Sequence, residues 1–409
     1  MSSIMEFDFQ KKINEYIVAN LNGYEKALKI CPLKDELFNL AVNCAGRKID
    51  VVFSEQDYRR LGKLVIGVLK SACADYSVII IEPSREDETP KIDYDGEVVI
   101  AFGGEELLSI ASYYASIMKI SYHAVITEPC ACFLLSGSVK SNLSGMAKRY
   151  KIVPPKSIII DVDIIKMAPA NAFAEGYIQI ASQLISLIDY KLRILIAGEN
   201  ARPYSYSQIR KVISTVLEMN KYSNIKEVII YACFVLSVER DFGTIVSSST
   251  VDNYCDALGV YAPNVSRGQR LFTAFSRLAD IYAFFFANDF SNMLTAPNYN
   301  GDVMLIESQT GENCEFLLDN LKVPSSKRLS LIRQVVDKTR AGFMADVTSI
   351  LSIVPEIQKE YNTLNKNSKI VENISLEQKV NALRLAPYLS DKQSVLSLVR
   401  DLGLIATIK

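Results

Sequence analysis

The residues that could do chemistry are few and widely spaced. Gly103-Gly104-Glu105-Glu106-Leu107-Leu108-Ser109 puts two glycines at a predicted strand-to-helix turn. A bare backbone there lets a phosphate approach, and the first N–H groups of the helix are free to bind it. The same stretch also reads as a tight turn begun by two carboxylates that suit a helix start. Cys130 and Cys132 stand two apart in the loop after the next strand. A catalytic thiolate needs a base or cation beside it, and the flanking residues supply none, so packing of small side chains is the simpler account. The one histidine, His123, lies between Tyr122 and Ala124 in a strand-like run and reads as a core or interface imidazole bonded to backbone. Arg267 and Arg270 open a predicted helix, either to receive an anion or as solvated charges on a surface turn. The aromatic run Tyr282-Ala-Phe-Phe-Phe286 is most simply core.

These positions must be held by the elements around them. Lys48–Phe53, Ser77–Ile81, Glu97–Phe102 and Tyr122–Ile126 are nearly continuous apolar runs rich in β-branched residues, as strands covered on both faces must be. Helical spacing fills Glu55–Leu69 and Glu105–Met118 between them. Strand and helix alternating at this interval predict right-handed crossovers and an open parallel sheet, whose ligands bind beyond the carboxyl ends of the strands. That rule selects the loops after Phe53, Phe102 and Ile126. The charged stretch 84–95 reads as a surface loop, and Ser157–Val162 as one further strand. Long amphipathic helices follow, over Phe173–Leu195, Tyr206–Met219, Ser266–Phe286, Lys327–Phe343 and Leu376–Pro387, with 360–368 as a polar connector. The expected division is an α/β domain of nucleotide-binding, Rossmann-like type over 1–150 and an all-α domain over 151–409, with a ligand cleft between them.

Composition narrows the function. Across 409 residues, 45 Lys+Arg against 46 Asp+Glu leave a net charge of −1, which argues against nucleic acid as a partner. The longest apolar stretch, 177–196, is broken by Gln179, Gln183, Asp189, Lys191 and Arg193, so no membrane span is expected. The first residues lack the basic-then-apolar profile of a signal peptide. Eight cysteines without a CxxC pair suit reduced thiols, and the expected location is the cytoplasm.

A family likeness runs through these segments. The stretch from Lys48 to Val65 resembles the first strand–helix unit of the glycerol-1-phosphate dehydrogenases. These belong to the superfamily of iron-containing alcohol dehydrogenases, glycerol dehydrogenase and 3-dehydroquinate synthase. Val98–Ala115 is similar to the segment carrying their GGGSxxD dinucleotide motif, and Val125–Cys132 to their VPTxxSxD loop. Pro154–Pro169 with Ala174–Gln179 resembles the run that ends in their GYGD motif, and Leu385–Leu404 the C-terminal signature of the bacterial branch. The likeness implies a dehydroquinate synthase-like architecture with NAD(P) bound at positions matching Gly103, Gly104, Glu105, Ser109, Thr127 and Cys130. It also implies one Asp and two His holding a divalent metal that acts as a Lewis acid on the substrate hydroxyl.

The departures fall on those functional positions. The motif's third glycine is Glu105, which sets a negative charge where a diphosphate would lie, and its aspartate is Ser109. The next loop keeps Thr127 but has Cys130 for serine and Cys132 for the substrate-binding aspartate, with Ser136 retained one turn on. The metal aspartate is Gln179, a poorer ligand. Arg270 stands near the place of the first metal histidine, and Asn288 and Asp289 near the second. A chain with one histidine cannot supply two, so no metal held in the familial way is expected. Asp161 and Asp163 match residues that shape a turn. Two functions remain open. One is a non-catalytic homologue with a binding, scaffold or regulatory role, alone as a homo-oligomer or with a heteromeric partner. The other is a metal-independent NAD(P)-linked oxidoreductase acting on a phosphorylated polyol or small alcohol in the inter-domain cleft, with Thr127, Cys132, Ser136 and Gln179 lining the site and a Lys or Arg supplying the metal's charge. The losses weigh toward the first.

Overall fold

The structure is a computed structural model that describes residues 5–21, 27–81, 92–130, 135, 137–141, 148–242, 250–288, 299–310, 314–318, 324–365, 374–390 and 392–404. The chain opens with α1 (Phe9–Asn20), β1 (Leu28–Ile30), α2 (Leu33–Asn43), β2 (Ile49–Phe53), α3 (Glu55–Ser71) and β3 (Tyr76–Ile80). It continues with β4 (Val98–Gly103), α4 (Glu105–Ile117), β5 (Ser121–Ile126), the hairpin strands β6 (Ser138–Ser141) and β7 (Lys148–Lys151), and β8 (Ser157–Ile160). Helices α5 (Val162–Lys166), α6 (Ala170–Ala181), α7 (Gln183–Ala197), α8 (Pro203–Leu217), α9 (Ile225–Phe242), α10 (Thr250–Tyr261) and α11 (Arg267–Ala287) follow. The remainder is α12 (Tyr299–Thr310), α13 (Cys314–Leu318), α14 (Ser326–Leu364), α15 (Leu376–Leu385) and α16 (Val395–Asp401). Among the described residues no helix is long and apolar enough to cross a membrane.

The six-stranded sheet has the order β1-β8-β5-β4-β2-β3, and each of its pairings is parallel. Strands β2, β4 and β8 are buried at every position, which is why their sequences read as unbroken apolar runs. Their side chains, with Leu61, Val65 and Leu69 of α3 and Leu33 and Leu37 of α2, form a continuous core on one face of the sheet. Asp50 is fully buried within β2, and its carboxylate accepts the N–H groups of Asp95 and Gly96 at 2.8 and 2.6 Å together with the Ser77 hydroxyl. That clamp satisfies the charge and fixes the amino-terminal entry of β4.

The chain forms two compact units, 1–176 with 214–242, and 177–213 with 243–409. This differs from a boundary near residue 150: β8 pairs with both β1 and β5, so it belongs to the sheet, and α9 packs with α1 and α5 in the first unit. In the second unit α10, α11, α14 and α15 pack together.

Two local expectations change, and a third falls partly outside the described residues. The run Phe173–Leu195 is two helices, because the Ser182 hydroxyl and Gln183 amide both donate to the Gln179 carbonyl and compete with the main-chain ladder. The helix expected to end at Phe343 continues through the exposed Pro355 to Leu364, so residues 360–364 of the expected connector are helical. Residues 84–91 of the expected surface loop lie outside the described residues, while Ile92 and Tyr94 are buried.

Candidate functional site

The strand order creates a switch point. From β2 the chain crosses to β3 on one side and resumes at β4 on the other, and in open parallel sheets ligands bind beyond the carboxyl ends of the strands at such a point. Ser54 follows β2 and caps α3: its hydroxyl accepts the Asp57 N–H at 3.0 Å and donates to the Asp57 carboxylate at 2.8 Å. The other Asp57 oxygen takes Arg60 Nη2 at 2.6 Å. The same Nη2 donates to the Thr127 carbonyl at 3.0 Å, and the Thr127 N–H donates to the Gly103 carbonyl at 3.2 Å. The loops after β2, β4 and β5 are thereby tied together. Three polar atoms of this knot, Arg60 Nε, Arg60 Nη1 and Thr127 Oγ1, are buried without a hydrogen-bond partner.

The glycine turn sits at the centre. Gly104 is the N-cap of α4 and supplies no side-chain cap, so the first N–H groups of that helix carry the positive end of its dipole uncapped by their own turn. A β-carbon on Gly103 would lie 2.9 Å from the Leu107 side chain, so close packing requires glycine there. A β-carbon on Gly104 would lie 2.5 Å from Glu128 Oε2. The space that the second glycine leaves open is thus filled by this chain's own carboxyl group. Burial pushes the Glu128 carboxyl up to about 7, aided by the negative charges of Asp57, Glu175 and Glu106 and opposed by Arg60.

Glu105 points elsewhere. Its carboxylate lies 3.2 Å from Arg240 Nη1 on α9, with the two side chains 14% and 2% exposed. The charge that the sequence set against a diphosphate is therefore paired.

Between the loop after β5 and α9, a cavity of about 30 Å³, room for a water or two, is lined mostly by apolar groups, among them Ile126, Pro129, Cys130, Cys233 and Phe234. Full burial pushes the Cys233 thiol well up, which leaves it un-ionised and a poor nucleophile. A β-carbon on Gly176 would lie 2.5 Å from the Pro129 carbonyl oxygen, so that glycine lets α6 press against the loop after β5.

Of the residues singled out by sequence, Gly103, Gly104 and Glu105 form the junction of β4 and α4, and Thr127 and Cys130 lie on the adjoining loop after β5. Ser109 is buried one turn into α4, its carbonyl accepting the Ser112 hydroxyl at 2.9 Å. Cys132, Ser136 and Asp289 lie outside the described residues. Gln179 and Arg270 belong to the second unit. Gln179 has no exposed surface. Arg270 lies over α10, its Nη1 2.6 Å from where a Gly259 β-carbon would be, and Arg267 faces Asp252 at 3.9 Å. His123 is buried in β5, but its Nδ1 meets the Ser157 hydroxyl at 2.7 Å in place of backbone. Burial, with Lys156 and Arg47 nearby, lowers its pKa to about 4. Asp161 does shape its turn, capping α5 through the N–H groups of Asp163 and Ile164 and accepting the Leu33 N–H at 2.7 Å. Among the described residues no group of three or more His, Cys, Asp or Glu side chains is placed to hold a metal ion. Asp57, Arg60, Glu128 and Arg240 escaped the sequence reading. Glu128 falls at an unspecified position of the loop motif over Val125–Cys132, which does not define where its side chain goes.

No protein-family model matches the sequence. Over 196 residues the chain is 22% identical to the glycerol-1-phosphate dehydrogenase [NAD(P)+] of Bacillus licheniformis, a stretch that covers 46% of this chain and 49% of that protein. The chain spans about half the length of the curated relatives it matches. Among solved structures, an archaeal halo-thermophilic alcohol dehydrogenase from a Red Sea brine pool superposes with a TM-score of 0.57 at 15% identity, covering 93% of this chain and 96% of that one. The iron-containing alcohol dehydrogenase of Thermococcus thioreducens gives 0.51 at 12% identity, covering 93% and 97%. In sequence the chain resembles the glycerol-1-phosphate dehydrogenases, and its fold is the dehydroquinate synthase-like architecture of the iron-containing alcohol dehydrogenases.

Proposed function

We propose that this chain is a divergent glycerol-1-phosphate dehydrogenase-like protein that binds a small ligand at the carboxyl ends of its parallel strands and does not carry out metal-assisted hydride transfer. The observation that carries this reading is the donor set. Gln179, matching the metal aspartate, is an amide without exposed surface, and the one imidazole is committed to Ser157 inside the sheet. These residues do not fit the metal centre that the likeness implies. In this reading the chain serves a binding, scaffold or regulatory role in the cytoplasm, as a homo-oligomer or with a heteromeric partner.

Two observations favour a second reading, a metal-independent NAD(P)-linked oxidoreductase acting on a phosphorylated polyol. The pairing of Glu105 with Arg240 removes a bare charge from the glycine turn, and the relatives' names carry NAD(P)+. The test is nicotinamide reduction by the purified full chain, with glycerol-1-phosphate and NAD⁺ or NADP⁺, with and without added Zn²⁺. The first reading expects no reduction in either case. Turnover that needs Zn²⁺ overturns it, and turnover without metal establishes the second.

A further inference from the structure

We propose that the Glu128 carboxyl is a proton-controlled plug of the glycine turn: ionised, it keeps phosphate-bearing ligands away from Gly104 and the start of α4, and protonated, it yields that place to a nucleoside diphosphate or dinucleotide. This deepens the reading of the strand ends as a ligand site and rests on it.

The geometry comes first. A glycine N-cap with no side-chain cap, at the topological switch point of a parallel sheet, is a place where backbone can meet a phosphate. Here that place is taken, with Glu128 Oε2 2.5 Å from the β-carbon position of Gly104. The neighbourhood also holds donors without acceptors. Thr127 is fully buried with Oγ1 unpartnered, and Arg60 Nε and Nη1 are buried and unpartnered beside it. A buried donor left unpaired is unfavourable, so the knot gains when a ligand rich in acceptor oxygens arrives.

Charge then sets the condition. Facing Glu128 are Asp57 and Arg60 from α3, Glu106 from α4 and Glu175 from α6. Glu105 is already offset by Arg240. With Glu128 ionised, four carboxylates face one guanidinium that is itself bound to Asp57, and a phosphate entering beside them is repelled. With Glu128 protonated, the nearest of those charges is gone. The flexible side chain can then swing aside, since only its far end fills the glycine's space. Burial and the same carboxylates hold the proton on Glu128 up to about 7, so the plug changes state near neutral pH.

The experiment measures NADH and ADP binding to the full-length protein by calorimetry at pH 6 and pH 8.5, for wild type and Glu128→Gln. Wild type is expected to bind at least about tenfold more tightly at pH 6, since affinity for the protonated form falls up to tenfold per unit above the pKa. Glu128→Gln is expected to bind at both pH values with the affinity of wild type at pH 6 or better. Wild-type binding that does not change with pH, a variant that keeps the pH dependence, or no binding by either protein at pH 6 overturns the proposal. Infrared difference spectra of wild type against the variant give a readout free of ligand: a Glu128 carboxyl that ionises below pH 5 also overturns it. Binding at pH 6 without nicotinamide turnover supports both the plug and the non-catalytic reading. Metal-dependent turnover removes the proposed function without touching the plug.

Discussion

Glu105 and Arg240 show how one residue's meaning depends on a partner 135 positions away. In the sequence Glu105 is a lone carboxylate on a phosphate path, whereas in the fold it is the anion of a nearly dry ion pair. Removing one partner of such a pair leaves a buried charge uncompensated and costs about 3–5 kcal/mol, while replacing both is far milder. Arg240→Met is therefore expected to lower stability by about that much, and adding Glu105→Gln to restore most of it. Urea denaturation of the four members of this cycle measures the coupling. A single Arg240→Met variant as stable as wild type would show that water, not Arg240, compensates Glu105.

Helix α7 is organised by one buried carboxylate. Asp189 has no exposed surface and accepts the Tyr282 hydroxyl of α11 at 2.7 Å, the Val395 N–H at the start of α16 at 3.0 Å, and the Thr250 hydroxyl of α10. Burial pushes its pKa up against those three donors, and Arg193 opposes the rise. Asp189→Ala leaves the donors buried and unpaired, so a loss of about 3–5 kcal/mol is expected. Hydrogen exchange should then show α10, α11 and the first turn of α16 losing protection together. Loss confined to α7 would show that the three helices are held by apolar packing alone. The helices themselves were legible, because a stripe of apolar residues at 3.6-residue period is a local property. Their fastening was not: Asp189 reads in sequence only as a charge that interrupts an apolar run.

For the molecule as a whole, the half-buried Glu128 and the buried His123 give opposite responses to pH. Glu128 has its folded pKa raised from 4.5 to about 7, so the folded chain keeps a proton that the unfolded chain has lost, and stability falls as pH rises through that window. His123 has its pKa lowered from 6.5 to about 4, so the unfolded chain takes the proton first and stability is lost as pH falls through that window. Each shift corresponds to about 3 kcal/mol at 1.36 kcal/mol per unit. The two contributions oppose one another where their windows overlap, between about 4.5 and 6.5. Relative to wild type, Glu128→Gln should therefore gain about 3 kcal/mol of stability between pH 4.5 and pH 7, and His123→Asn should lose ground by a similar amount between pH 4 and pH 6.5. Denaturation midpoints across that range check both signs. A flat difference for either variant would mean that its side chain is solvated in the folded chain.

The sequence by itself determined the parallel sheet, the glycine turn after β4 and the mostly helical second half. Continuous β-branched runs, turn residues and helical periodicity act over a few residues and need no distant partner to be expressed. It also determined the number of imidazoles, since a count does not depend on folding. Tertiary structure alone decided that β8 and α9 join the first unit, that Arg240 neutralises Glu105, and that Glu128 fills the space over Gly104. The physical reason is that the charge state and reach of a polar side chain are set by the dielectric and the groups that surround it. Those groups come from α3, α4, α6 and α9, segments that meet only when the sheet has formed.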